Sequence, residues 1–145
     1  MATPSERALL DTNVLVHAMN EDAEHHEACR LLRDRAVAGG IDACVSAQVL
    51  FEYFAVVTNP NHIAKPLAPA EALSDVEKLA AAFPMIAPPA ELPSRVVALM
   101  RQTGFSGRHI FDVQLAATML ADGVTRIYTY DPRFAKIPGI TALEP

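Results

Sequence analysis

No stretch of the 145-residue sequence approaches the ~20 consecutive apolar residues that a bilayer-spanning helix needs. The opening MATPSERALL lacks the basic segment and apolar run of a secretory signal. Cysteine is scarce. Cys29 and Cys44 stand without CxxC spacing, and a two-cysteine chain of this length needs no disulfide framework. His25 and Cys29 share a helix face but have no further ligands near them, which argues against zinc. Glycine-rich loops of the GxxxxGK[ST] or GxGxxG type are missing, so nucleotide binding through such loops is excluded. Basic residues are outnumbered, 12 Lys and Arg against 17 Asp and Glu, for a net charge of −5. That balance argues against a broadly basic nucleic-acid binder, yet it leaves room for an enzyme that meets phosphates through a metal ion. A reduced, cytoplasmic, soluble protein with no membrane partner is expected.

What the sequence does contain is enough apolar material, 51% of residues, for a sizeable core. Its organising stretch is LLDTNVLVHAM, residues 9–19. Apolar residues run up to Asp11, a polar Thr12-Asn13 step follows, and apolar residues resume. This predicts a buried strand that delivers a carboxylate into the first turn of a helix. Asn20 with Glu21 and Asp22 predicts the start of a second helix, continuing through HHEACRLLRDRAVA with Ala28, Leu31, Leu32 and Ala36 inward. In that helix Cys29 is expected to be a small inward residue and His26 to be solvated. Short strands are predicted at 41–45, 85–87, 126–130 and 139–143. Helices are predicted at AQVLFEYFAVV (capped by Ser46), AEALSDVEKLAAAF (entered through Pro69), VVALMRQ and IFDVQLAATML. Strands alternating with helices indicate a parallel sheet covered on both faces. The expected fold is one α/β domain over residues 1–145, a three-layer α/β/α architecture with a central parallel sheet.

Four acids then need explaining. Asp11 and Asp131 each follow a strand, at the carboxyl edge where open α/β sheets bind ligands. Glu52 lies among apolar neighbours in VLFEYFAVV, where burial of a carboxylate is costly unless it is paired or bound to a cation. Asp112 stands in the first turn of IFDVQLAATML, where the helix dipole favours negative charge. Singly, each has an ordinary structural explanation: a helix cap, a solvent face, a dipole, a turn. Together they would repel, at about 3 kcal/mol for a pair ~5 Å apart in an effective dielectric of ~20. Such a cluster takes up protons or binds a hard cation. All-oxygen ligands suit Mg²⁺ or Mn²⁺, and the chemistry that follows is metal-assisted hydrolysis of a phosphodiester. An aspartyl-phosphate mechanism at Asp11 would need a well-placed lysine, and Lys65, Lys78 and Lys136 are poorly placed.

Four blocks, LLDTNVLV, VSAQVLFEYFAVVTNP, FDVQLAATML and TYDPRFAKIPGI, carry these acids in order. In these blocks the sequence resembles the PIN-domain nucleases, and most closely the VapC-type toxins of bacterial and archaeal toxin–antitoxin pairs. A lone DTN would be weak, but four blocks at these spacings are specific. The resemblance implies a Mg²⁺- or Mn²⁺-dependent endoribonuclease acting on RNA, a homodimer, and a cognate antitoxin that inserts a segment into the acidic groove. It implies Asp11 and Asp112 as principal metal ligands, with Glu52 and Asp131 completing the catalytic pocket, as ligands of a second metal ion or by orienting the attacking water. Thr12, Asn13 and Thr129 would hold carboxylates or waters by hydrogen bonding. Arg108, in the loop GFSGRH beside Asp112, is a candidate RNA-phosphate contact. The competing class is a catalytically silent PIN-like RNA-binding or scaffolding module. The presence of all four acids favours an enzyme.

Overall fold

A computed structural model describes residues 6–145. The first five residues, part of the stretch that lacks secretory-signal features, lie outside the described residues. Five short strands form one parallel sheet: β1 (Ala8–Leu10), β2 (Ala43–Ser46), β3 (Met85–Ile86), β4 (Arg126–Tyr128) and β5 (Thr141–Leu143), in the order β3-β2-β1-β4-β5. Leu9 pairs with Cys44 on one side and Ile127 on the other, and all three are fully buried, so the middle of the sheet is continuous core. Strands buried on both faces read as unbroken apolar runs, as β1 does throughout and β2 does up to Ser46, while β4 buries only Ile127.

The helices are α1 (Thr12–Met19), α2 (His26–Val37), α3 (Ala47–Val57), α4 (Pro69–Ala82), α5 (Leu92–Thr103) and α6 (Ile110–Ala121). Parallel crossovers are right-handed. The chain steps from β1 to β2 to β3 in one direction, then back across to β4, so α1–α4 cover one face and α5 and α6 the other. Helix contacts agree, with α1 packing on α2 and α3, α3 on α4, and α5 on α6. The chain order reverses beside β1. Its carboxyl end therefore opens into the crevice where such folds hold ligands.

The expected α/β/α layering and parallel sheet are observed. Four local expectations are corrected. The second helix begins at His26, not at Asn20. Asn20 instead closes α1, its N–H donating to Val16 O, and its side chain accepts from the Asp22 N–H at 3.1 Å. A capping residue has served a turn, the other use of Asn chemistry. The inward stripe of α2 is accordingly Cys29, Leu32 and Ala36, with Ala28 and Leu31 exposed. His26 is half-buried, its Nδ1 at 2.8 Å from His17 O, rather than solvated. Strand β4 stops at Tyr128, two residues short of the predicted end. Thr129 and Tyr130 are thereby released toward α1. Among the described residues, no helix is long and apolar enough to cross a membrane.

Candidate active site: an acidic pocket at the carboxyl edge of the sheet

Asp11 follows β1 directly at the carboxyl edge of the sheet and caps α1. Its Oδ1 accepts from the Thr12 N–H at 2.8 Å, and its Oδ2 accepts from the Thr129 hydroxyl at 2.7 Å and from Asn13 Nδ2 at 3.2 Å. None of these donors is charged. The residue is only 7% exposed. Burial pushes its carboxyl up to about 6, against the pull of the Thr129 and Thr12 hydrogen bonds, with the charges of Glu52 and Asp112 adding to the rise.

Thr129 organises this corner. Besides donating to Asp11, its hydroxyl oxygen accepts from the Asp131 N–H at 3.0 Å and from Asn13 Nδ2 at 3.3 Å. Asn13 Oδ1 in turn accepts from the Tyr130 N–H at 3.3 Å. Thr12, Asn13 and Thr129 thus tie the end of β1 to the end of β4.

Glu52 is solvent-exposed, so the cost of burial inferred from its apolar neighbours does not apply. The outward face of α3 is itself apolar, with Phe51 67% exposed beside it, which made the sequence look more buried than it is. Glu52 still belongs to the pocket. Its Oε2 accepts from the Thr12 hydroxyl at 3.1 Å, and its Oε1 accepts from Gln48 Nε2 at 3.2 Å. Gln48 also donates to Phe111 O at 3.0 Å, joining α3 to the start of α6.

Asp112 enters from the first turn of α6 and is half-buried. Burial and then the Asp131 and Glu52 charges raise its pKa, offset in part by Arg133 and His109. Asp131 differs. Burial alone would raise its pKa, but hydrogen bonds and charge from Arg133 outweigh that and hold it below the usual carboxylate value. Arg133 Nη2 lies 2.7 Å from Asp131 Oδ2 and Nε 3.1 Å from Oδ1, while Nε is also 3.8 Å from Asp112 Oδ2.

All four acids therefore meet at one edge, from β1, α3, α6 and the end of β4. Thr12, Glu52, Asp112, Arg108, His109 and Arg133 line a groove of about 570 Å³ beside Asp11. Arg108 is exposed, its guanidinium carbon 5.9 Å above the Phe111 ring. Sequence reasoning missed Arg133 and Gln48. Gln48 carried a signal, its i, i+4 spacing from Glu52. Arg133 carried a weaker one, a cation two residues beyond an Asp-Pro turn.

Among the described residues, no three of His, Cys, Asp and Glu are drawn together as a metal-ligand cluster. Mg²⁺ does not require one, since it binds through one or two carboxylates and keeps several waters. The donor set fits a hard cation: all-oxygen, with a buried carboxylate that has no charged donor and two further acids that electrostatically oppose its ionisation.

The PIN domain matches residues 8–140 of the chain. The chain belongs to the PIN-domain family. A curated relative is Ribonuclease VapC48 of Mycobacterium tuberculosis, 28% identical over a 141-position alignment that covers 93% of this chain and 94% of the relative. Among solved structures, this PIN domain is similar to M. tuberculosis VapC20, described as a Sarcin-Ricin loop cleaving toxin, with a TM-score of 0.70 at 16% identity over 95% of this chain and 99% of that one. It is similar also to VapBC2 from Rickettsia felis bound to a DNA fragment from their promoter, with a TM-score of 0.67 at 19% identity over 96% and 98%. At those identities the solved structures speak for the fold.

Proposed function

We propose that this PIN domain is a Mg²⁺- or Mn²⁺-dependent endoribonuclease that hydrolyses RNA phosphodiester bonds and acts as the toxin of a toxin–antitoxin pair. The observation that carries this proposal is Asp11, a buried carboxylate raised to about 6 with uncharged donors alone around it. A site arranged this way is completed by a proton in acid or by a cation at neutral pH. The ribonuclease relative and the VapBC neighbour support the substrate class and the partner.

Asp11 and Asp112 would hold the metal, with Glu52 beside them reaching it through its waters. When bound it would supply Lewis-acid polarisation of the phosphoryl group and positive charge beside Asp11. The chain's own work is orientation. Thr12, Asn13 and Thr129 fix both oxygens of Asp11, so its remaining lone pairs face one way without reorganising. Gln48 and the Thr12 hydroxyl hold Glu52 from two sides. Arg108, exposed on the groove wall, would meet the RNA backbone.

The partner is an antitoxin presenting a basic side chain to the acidic pocket, which would neutralise it as a cation does and block substrate. We place the working protein in the cytoplasm as a homodimer. Cleavage of a panel of total and synthetic RNAs, in Mg²⁺, Mn²⁺ and chelator, is the test. Discrete internal cuts that require the divalent ion are expected. RNA that stays intact with every ion would overturn the proposal.

A further inference from the structure

The guanidinium of Arg133 spans the pocket between Asp131 and His109. An arginine has five N–H donors and no acceptor. Nε and one Nη2 hydrogen are taken up by Asp131, at 3.1 Å and 2.7 Å, and one Nη1 hydrogen by His109 Nε2 at 3.1 Å. Because His109 Nε2 accepts here, the ring proton lies on Nδ1, which faces Asp112 Oδ2 at 3.7 Å. Two donors remain, one on each terminal nitrogen, on a side chain 42% exposed that lines the groove. A pair of free guanidinium donors beside a groove matches two oxygens of one phosphate.

We propose that Arg133 grips a backbone phosphate of the RNA in the groove, and that Asp131 is its positioning residue rather than a metal ligand. This rests on the nuclease reading for its substrate. RNA entering a pocket lined by carboxylates meets repulsion, and a fixed cation at the groove wall offsets it. Arg108 cannot do this as well, because its charged end rests over the Phe111 ring with no carboxylate to fix it. Arg133 is already held from two directions, so binding freezes little additional motion. Asp131 has its counter-charge in Arg133, and Asp112 lies between Arg133 Nε at 3.8 Å and His109 Nδ1 at 3.7 Å. Asp11 and Glu52, whose donors are uncharged, have no such partner in the pocket among the described residues.

The test uses a fluorescein-labelled, mixed-sequence single-stranded RNA. Its binding is measured in chelator across a salt series, and its cleavage in Mg²⁺. Arg133→Gln should weaken RNA binding roughly tenfold. It should also make the slope of log affinity against log salt shallower by about 0.7, the signature of one lost single-strand phosphate contact. Mg²⁺ affinity, read by calorimetry, should be unchanged or tighter. Arg133→Lys should restore the salt slope but not the full affinity, because an ammonium lacks the fork. Asp131→Asn should weaken RNA binding like Arg133→Gln, with the double variant no worse than either single one. An unchanged salt slope in Arg133→Gln overturns the proposal. So does an Asp131→Asn protein that loses Mg²⁺ binding while keeping RNA affinity. If the parent binds this RNA yet cleaves none with any divalent ion, the nuclease reading falls while the salt slopes still decide the grip.

Discussion

Asp11 and Asp131 occupy matching places. Each follows a strand at the same sheet edge, each caps the helical turn after it, and one hydroxyl, that of Thr129, touches both. Their electrostatics are opposite. Around Asp11 the donors are an amide N–H, a carboxamide and a hydroxyl, and its pKa is raised to about 6. Around Asp131 a guanidinium makes paired hydrogen bonds, and its pKa is lowered. One carboxylate has its counter-charge built in and the other awaits it. Under the proposed function, two acids of the same motif type divide into a cation site and a scaffold for a cation.

The largest expected effect is on catalysis. Asp11→Asn should cut RNA cleavage in saturating Mg²⁺ by about a thousandfold or more, since Lewis-acid assistance lowers the barrier by several kcal/mol. Asp131→Asn should lower it by roughly tenfold to a hundredfold, the loss of one charged phosphate contact. Single-turnover rates of both variants check the ranking. Equal losses would erase the contrast between the two acids.

The next effect is pH dependence, and its sign separates the two acids. A folded pKa of about 6 against an ordinary value of 3.8 means the folded state binds a proton more tightly at Asp11 than the unfolded chain does. The resulting stability is fully present below the unfolded value and is lost as pH rises through about 6. In chelator, the parent should therefore lose up to about 3 kcal/mol relative to Asp11→Asn between those limits. Lost hydrogen bonds in the variant shift this difference by a constant and leave its slope intact. For Asp131 the sign reverses: its lowered pKa stabilises the fold above the unfolded value, and that contribution disappears on acidification. Denaturant titrations across acidic to neutral pH measure both slopes.

A smaller effect sharpens what the two acids share. Thr129→Val removes the hydroxyl that donates to Asp11 and accepts from the Asp131 N–H. The buried partners left behind should cost roughly 1–3 kcal/mol of stability. Because the Thr129 hydrogen bond lowers the Asp11 pKa, its loss should move the acid-side midpoint of the parent upward. Melting of the Val variant across pH reads both quantities.

Much of this was visible in the sequence for a physical reason. The switch from apolar run to polar step at Asp11 is a local pattern, and so is the capping position of Ser46, whose side chain does accept from the Val49 N–H at 3.3 Å. Layering follows from alternating strands and helices. The hidden parts are those that depend on tertiary geometry. Asn20 has one chemistry for caps and turns, and nothing local chose between them. Glu52 looked buried because the exposed face of its helix is apolar. Whether Arg133 turns back onto Asp131 or out to solvent is decided by the short helical turn from Pro132 to Lys136, which no periodicity in the sequence announces.

The central claim is that the raised carboxylates form a divalent-cation site, and Asp112 tests it most directly. Its raised pKa means that its charge costs the metal-free fold stability at neutral pH. Thermal melts of the parent and Asp112→Asn should be compared in chelator and in excess Mg²⁺. In chelator the Asn variant should be as stable as the parent or more so. In Mg²⁺ at about a hundred times the dissociation constant, the parent should gain about 2.7 kcal/mol and the variant little. An Asn variant stabilised by Mg²⁺ as much as the parent would contradict the account.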